Sequence, residues 1–172
     1  AKGWRLETPQ GVLTAEKVIL ATNGYTDGLW PGLEQSVVPV FSVQVATDPL
    51  GENIRGKILG GGEVLSDTHR VLWYFRQDGQ GRLIMGGGGS AYESGAAKIY
   101  EGLRDRIRDL LPEAGDVPFE FAWNGKVAVT TAHFPPLHEL APGLWAGLGF
   151  NGRGVAMATM MGKIMADRAL ET

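Results

Sequence analysis

No cysteine occurs among the 172 residues, which excludes disulfides, thiolate nucleophiles and cysteine-linked cofactors. Histidine is almost as scarce. His69, His133 and His138 show no metal-ligand spacing, so no metal is expected, and no Ser/His/Asp arrangement can be argued. No apolar run reaches the roughly 20 residues of a membrane helix, and no secretory leader opens the chain, which begins at Ala rather than Met. An excess of positive charge is missing too. The net charge is −3, and "RDRIRD" interleaves its signs as a solvated helix face does. A nucleic-acid partner is therefore not expected, nor a membrane partner, and the expected location is cytoplasmic. Glycine is in excess. There are 26 against about 12 at ~7% average usage, bunched at 60–62, 86–89 and 147–154, so each bunch calls for a local reason.

Along the chain, "WRLET" and "VLTAEKVILATN" flank the turn residues "PQG" and predict strand, turn, strand. "KVILATNGY" stays apolar up to Asn23-Gly24, which predicts a strand buried on both faces. "SVVPVFSVQVATDPL" alternates as a long strand with Pro39 at its beginning, at an edge or at a bulge. "RVLWYFRQDGQGRLIMGG" is a hairpin around Asp78–Gly81. From Ala96 to Leu111 the period becomes helical, with Ile99, Leu103, Ile107, Leu110 and Leu111 on one face and Pro112 as the stop. "VPFEFAWNGKVAVTT" returns to strand, broken near Asn124-Gly125. "FPPLHELAPG" reads as loop or turn and "LWAGLGF" as a last strand. Gly154 to Leu170 forms a last helix with Met157, Met160, Met161 and Ile164 as its stripe. The fold class is α+β, a largely antiparallel or mixed sheet with two main helices, because hairpins outnumber possible crossovers.

Two glycine motifs have the form of phosphate cradles. Gly86-x-Gly88-x-x-Ala91 follows a strand, but its helix starts late, near Ser94, and the next acid, Glu120, is too far away. A glycine-rich strand end passed closely by another backbone is the favoured reading there. Gly147-x-Gly149-x-x-Gly152 has strand, turn and helix in place. No second strand follows it, so the βαβ unit of a dinucleotide site cannot be completed from it. What remains is the physics of the turn: glycines permit close backbone approach, and a helix start offers free N–H groups and partial positive charge.

"VILATNGYT", "VVPVFSVQVATDPL", "GRLIMGGG", "WNGKVAVTTAHFPPLHEL" and "GLGFNGRGVAMATMMGKIMADRAL" resemble, in that order, the C-terminal half of the D-amino-acid oxidase-like flavoenzymes. Within them the glycine/sarcosine oxidase and gamma-glutamylputrescine oxidase branch looks nearest. The resemblance covers essentially the whole chain. It implies the cofactor FAD, a small-molecule amine or amino acid as substrate, and a missing N-terminal FAD-binding half as partner. It also implies three segments: residues 1–34 as the tail of an FAD-binding domain, 35–135 as a substrate-binding domain, and 136–172 as the strand and helix that return to the flavin.

By similarity, Gly149, Phe150, Asn151, Gly152, Arg153 and Gly154 form a turn whose N–H groups meet the pyrimidine end of the flavin, where negative charge builds during hydride transfer. Ala21, Thr22, Asn23 and Gly24 contact the pyrophosphate and adenosine side by backbone. Arg153 is either an added cation or an exposed arginine at a helix start. Tyr74, Trp123 and Phe150 are candidates for an aromatic wall at the substrate, and equally for plain core. Lys126 stands near where a basic clamp for a substrate carboxylate is expected. A lysine is a point charge rather than a fork, which favours an amine over an amino acid. His133 and His138 could line the site or be solvated loop histidines, and no catalytic residue is assigned.

The expected activity is oxidation of a C–N bond with hydride transfer to flavin, with this chain alone inactive. The alternative is a non-catalytic small-molecule or partner-binding module of the same ancestry. A half-enzyme is expected to expose apolar surface on the last helix and the "VILAT" strand, and so to self-associate.

Overall fold

The structure is a computed structural model that describes residues 3–69, 71–90, 92 and 95–170. The chain divides into two compact units, Ala1–Pro39 with Val127–Thr172, and Val40–Lys126.

The first unit opens with an antiparallel hairpin of β1 (Trp4–Thr8) and β2 (Gly11–Ala15), with Thr8 opposite Gly11 at its closed end. β3 (Val18–Leu20) follows, and single 3₁₀ turns occupy Asn23–Tyr25, Asp27–Leu29 and Glu34–Ser36. Later in the chain come β9 (Leu137–Ala141), β10 (Leu144–Gly147) and α3 (Gly154–Leu170). β10 is the middle strand of a three-stranded sheet, parallel to β3 and antiparallel to β9.

Two expectations fail here. "LHELA" is strand β9 rather than loop, because it has β10 to pair with in a way its local sequence does not reveal. "VILAT" is not buried on both faces. β3 is an edge strand only three residues long, and Ile19 is 37% exposed, because a strand with one neighbour lacks the cover that a central parallel strand has.

In α3 the buried residues are Met161 and Met165, which pack with Phe150, Leu137 and Met157. Met160 and Ile164, assigned to the buried stripe from sequence, are exposed at 60% and 40%. The true i, i+4 ridge is Met157–Met161–Met165. The flank with Gly162, whose Cβ position would meet no atom within 4 Å, is open.

The second unit is built on a five-stranded sheet in the order β5-β6-β7-β4-β8, from β4 (Val38–Pro49), β5 (Val64–Ser66), β6 (Tyr74–Gln77), β7 (Arg82–Ser90) and β8 (Phe119–Val129). The short helix α1 (Glu52–Arg55) and the long helix α2 (Ala96–Leu110) complete it. Pro39 is the second residue of β4, as expected, and the Asp78–Gly81 hairpin closes with the Gly81 N–H donating to the Asp78 carbonyl oxygen at 3.0 Å. β8 runs unbroken through Asn124-Gly125, against expectation, since pairing with β4 overrides the local turn preference.

α2 lies on one face of this sheet. Leu103 and Ile107, at 0% and 1% exposure, meet Val43, Val45, Leu83 and Met85. Burying such a side chain stabilises by about 1.5–3 kcal/mol. The i, i+3 ion pairs Glu101–Arg104 and Asp105–Arg108 on its outer face add only ~0.3–0.5 kcal/mol each, so packing rather than charge holds the helix. Leu110 falls outside the packed stripe at 44% exposure, because the helix turns it away after Ile107.

Candidate functional site

The physical reason for the terminal glycine motif is different at each glycine. Gly147 lies on β10 beneath α3, where a Cβ would come 2.8 Å from Met161 Cγ and 3.0 Å from Met165 Cε, so it permits close packing of helix on strand. Gly149 has φ +77° and its Cβ would meet Thr130 Cγ2 at 2.4 Å. Gly152 has φ +82° with no atom within 4 Å of its Cβ position. Between them Asn151 is left-handed at φ 55°, a conformation that asparagine tolerates better than most residues.

Side chains brace this turn from within the first unit. The Asn151 carboxamide oxygen accepts the Thr130 N–H at 2.8 Å, and its amide nitrogen donates to the Gly149 carbonyl at 2.5 Å and to Thr130 Oγ1 at 3.2 Å. Thr130 Oγ1 donates to the Phe134 carbonyl at 3.0 Å. The Gly149 N–H donates to Asn23 Oδ1 at 3.0 Å. Asn23, itself at φ 47°, thereby ties the two expected cofactor segments, Ala21–Gly24 and Gly149–Gly154, to each other. They meet because β3 and β10 are parallel, so the turns that leave their C-terminal ends emerge on one side of the sheet, where open α/β sheets place their ligands.

Three N–H groups of the turn are used internally: Gly149 toward Asn23, Asn151 toward the Ala128 carbonyl, and Arg153 toward the Phe150 carbonyl. Those of Ala156 and Met157 both bond the Arg153 carbonyl. The N–H groups of Phe150, Gly152, Gly154 and Val155 have no acceptor among the described residues. Four donors at the start of a 17-residue helix make a site for negative charge or for a carbonyl edge. Three residues after Asn23, the Thr26 hydroxyl is buried with no partner among the described residues. These features suit the polar edge of a flavin.

The remaining candidates fall out differently. The Phe150 side chain is 9% exposed and belongs to the α3 core, so it has its backbone, not its ring, to offer a ligand. Arg153 is exposed, and among the described residues its guanidinium reaches only the His133 carbonyl, at 3.4 Å. In the second unit, Tyr74 Oη lies 3.1 Å from Ser42 Oγ, Trp123 is 39% exposed on β8, and Lys126 is half-buried with an interaction partner of its own. His138 Nε2 is buried without a partner among the described residues, and His69 pairs with Asp67 at 2.8 Å. Thr130 was not anticipated. It is 21 residues from Asn151, and no spacing rule links them.

The Gly86–Gly89 run lies inside β7, which continues to Ser90, and α2 begins at Ala96. Ala91 and Ser94, its expected end and the expected helix start, lie outside the described residues. The close approach comes mainly from side chains rather than backbone: a Cβ on Gly86 would sit 2.3 Å from the Tyr74 ring, and one on Gly87 2.6 Å from Trp73 Cε3. A separate, mostly apolar cavity of about 520 Å³ lies between the β1–β2 hairpin and β3. Trp4 and Trp30 meet there edge to face at 5.7 Å, beside Leu6, Val18, Leu20 and Leu29.

The family described as FAD dependent oxidoreductase matches residues 1–168. A probable oxidoreductase, OrdL, of Rhizobium meliloti (strain 1021) is 34% identical over 96% of this chain and 38% of its own length. Gamma-glutamylputrescine oxidoreductase of Escherichia coli (strain K12) is 23% identical over 94% of this chain and 38% of its own length. Among solved structures, glycine oxidase from Geobacillus kaustophilus superposes with a TM-score of 0.74 at 22% identity, covering all of this chain and 46% of that one. The chain thus spans about 38% of the length of these curated relatives.

Proposed function

The chain belongs to the FAD dependent oxidoreductase family, and from that premise we propose that it supplies the flavin-facing turn and the substrate sheet of an enzyme that oxidises the C–N bond of an amine or amino acid. The observation that carries this reading is the turn at 149–154 and the helix start that follows it, with four N–H groups lacking acceptors among the described residues and tied through Asn23 to the residues after β3.

In this proposal residues 1–34 and 136–172 serve the FAD side and residues 35–135 the substrate side. FAD, when bound, supplies the hydride acceptor. The chain's own part is electrostatic and positional. The N–H groups of Phe150, Gly152, Gly154 and Val155 hold the polar edge of the ring system, and preorganised donors stabilise developing negative charge without having to reorient. The Asn151–Thr130–Asn23 brace keeps those donors in place. Ala21 to Gly24 contribute backbone to the cofactor, Arg153 adds positive charge, and Tyr74 and Trp123 contact the substrate. The rest of the FAD site would come from the kind of sequence that the longer relatives carry beyond the matched part.

The test compares the natural polypeptide carrying this chain with the 172-residue chain alone. The former is expected to purify with bound flavin absorbance that bleaches anaerobically on adding a primary or secondary amine or amino acid, and the latter to hold FAD weakly or not at all. A natural polypeptide that neither retains FAD nor is bleached by any such compound overturns the reading.

A further inference from the structure

Two asparagines of the first unit stand in left-handed backbone beyond the C-terminal ends of the parallel strand pair, Asn23 at φ 47° just past β3 and Asn151 at φ 55° just past β10. A glycine takes such a φ at no steric cost, so what asparagine adds at each position is its carboxamide. The two carboxamides are used differently. That of Asn151 is engaged on both sides: its oxygen accepts the Thr130 N–H, and its nitrogen donates to the Gly149 carbonyl and to Thr130 Oγ1. That of Asn23 is engaged on one side. Its Oδ1 accepts the Gly149 N–H at 3.0 Å, and its Nδ2 has no acceptor among the described residues.

The partner fixes the orientation of the Asn23 carboxamide. An N–H can be met only by the oxygen of an amide, so Gly149 decides which end faces the turn, and the planar group carries its two N–H bonds away from Gly149. The backbone holds the residue from the other end. The Tyr25 N–H donates to the Thr22 carbonyl at 3.0 Å and the Thr26 N–H to the Asn23 carbonyl at 3.3 Å, closing a 3₁₀ turn around it. Asn23 is half-buried, with Nδ2 open to solvent. Two free donors held in this way can meet an oxygen-rich ligand without giving up an internal bond, and donors already in place lose little freedom on binding.

We propose that Asn23 anchors the cofactor through its side chain: Nδ2 donates to a pyrophosphate oxygen of FAD while Oδ1 keeps hold of the Gly149 N–H. The proposal rests on the proposed FAD-dependent oxidation, in which Ala21 to Gly24 meet the cofactor by backbone, and it adds a side-chain donor to that contact. Hydrogen bonds to an ionised group are roughly twice as strong as neutral ones, so an anionic oxygen is the acceptor that gains most from Nδ2. One planar group then joins the pyrophosphate to the turn that faces the ring. Loss of Nδ2 is felt in cofactor affinity, and loss of Oδ1 in the stability of the turn.

The experiment uses the natural polypeptide carrying this chain, stripped of FAD, with the variants Asn23→Asp and Asn23→Gly. Aspartate keeps an oxygen for the Gly149 N–H and replaces the donor with negative charge. Glycine keeps the left-handed φ and removes both ends of the carboxamide. Dissociation constants are measured for FAD by the change in flavin fluorescence and for ADP, which has the pyrophosphate without the flavin, by calorimetry. FAD binding is expected to weaken about 100-fold in Asn23→Asp and about 10-fold in Asn23→Gly, and ADP binding by the same factors. The melting temperature of the cofactor-free protein is expected to stay near that of the wild type in Asn23→Asp and to drop in Asn23→Gly. FAD affinity within threefold of the wild type in either variant overturns the proposal, since Asn23 then only braces Gly149. A loss confined to FAD with ADP unaffected also overturns it, because the contact is then at the flavin. If FAD binding depends on Asn23 as expected but no amine or amino acid bleaches the bound flavin, the anchoring contact stands and the amine-oxidation reading fails. Bleaching with FAD held equally by all three proteins does the reverse.

Discussion

Gly149 and Gly152 look equivalent in the sequence, yet they are held for different reasons. Both need positive φ, which costs an L-residue roughly 1–2 kcal/mol. At Gly149 a Cβ would also strike Thr130 Cγ2 at 2.4 Å, while at Gly152 it would meet nothing. Gly152→Ala is therefore expected to lower stability by about 1 kcal/mol. Gly149→Ala is expected to lower it by about 2–4 kcal/mol, because the Thr130 contact adds to the strain. Chemical denaturation of the two variants checks this, and equal losses would remove Thr130 from the account. The glycine spacing was legible because backbone freedom is a property of the residue itself. The brace was not. Asn151 reads as a turn residue or as a ligand contact, and only its pairing with Thr130 shows its side chain spent on holding the turn.

At the scale of elements, the hairpin joining β6 to β7 is the clearest case of agreement between local sequence and structure, and it carries a pH dependence. Burial acts to raise the Asp78 carboxyl. The N–H groups of Arg82 and Gln80, each 2.9 Å away, together with the Arg82 guanidinium, outweigh it and hold the carboxyl below its ordinary value of 3.8. A carboxylate depressed on folding contributes stability above its unfolded value, and that contribution is lost as pH falls from there through the folded value. Melting temperature is thus expected to decline as pH drops from about 4. Asp78→Asn is expected to be less stable at neutral pH and to show a shallower decline, measured by thermal melts between neutral and strongly acid pH. Identical slopes would show that Asp78 does not carry this dependence.

The elements missed from sequence share one cause. β9 and the uninterrupted course of β8 depend on neighbouring strands that are distant in the chain, and backbone pairing outweighs the turn preference of Pro-rich or Asn-Gly segments when a partner edge is present. The errors at Met160, Ile164 and Leu110 are finer. A helical period identifies an amphipathic helix but leaves the buried arc uncertain by about a residue.

At the scale of the whole chain, no helix among the described residues is long and apolar enough to cross a membrane, yet apolar surface is plentiful. Val155 is fully exposed, Met160 is 60% and Ile164 40% exposed on α3, and Ile19 is 37% exposed on the edge strand β3. Met160 and Ile164, four apart, share one flank of the helix, and an unpaired strand edge invites pairing with another chain. The 172-residue chain is therefore expected to self-associate. Light scattering should give an apparent mass that rises with concentration, and Met160→Lys with Ile164→Lys should lower it. A monomer at every concentration in the unsubstituted chain would contradict the expectation.

The sequence by itself determined the α+β class, the two main helices, the principal hairpin, and the location of a turn with glycine freedom and free donors ahead of the last helix. All of these follow from periodicity and residue chemistry over short distances. Tertiary structure alone decided which turn groups are spent and which are left to bind: the joining of Asn23 to Gly149 across 126 positions and the Thr130–Asn151 brace. Whether a donor already has an acceptor depends on groups brought together by strand pairing, and spacing along a chain carries no record of that.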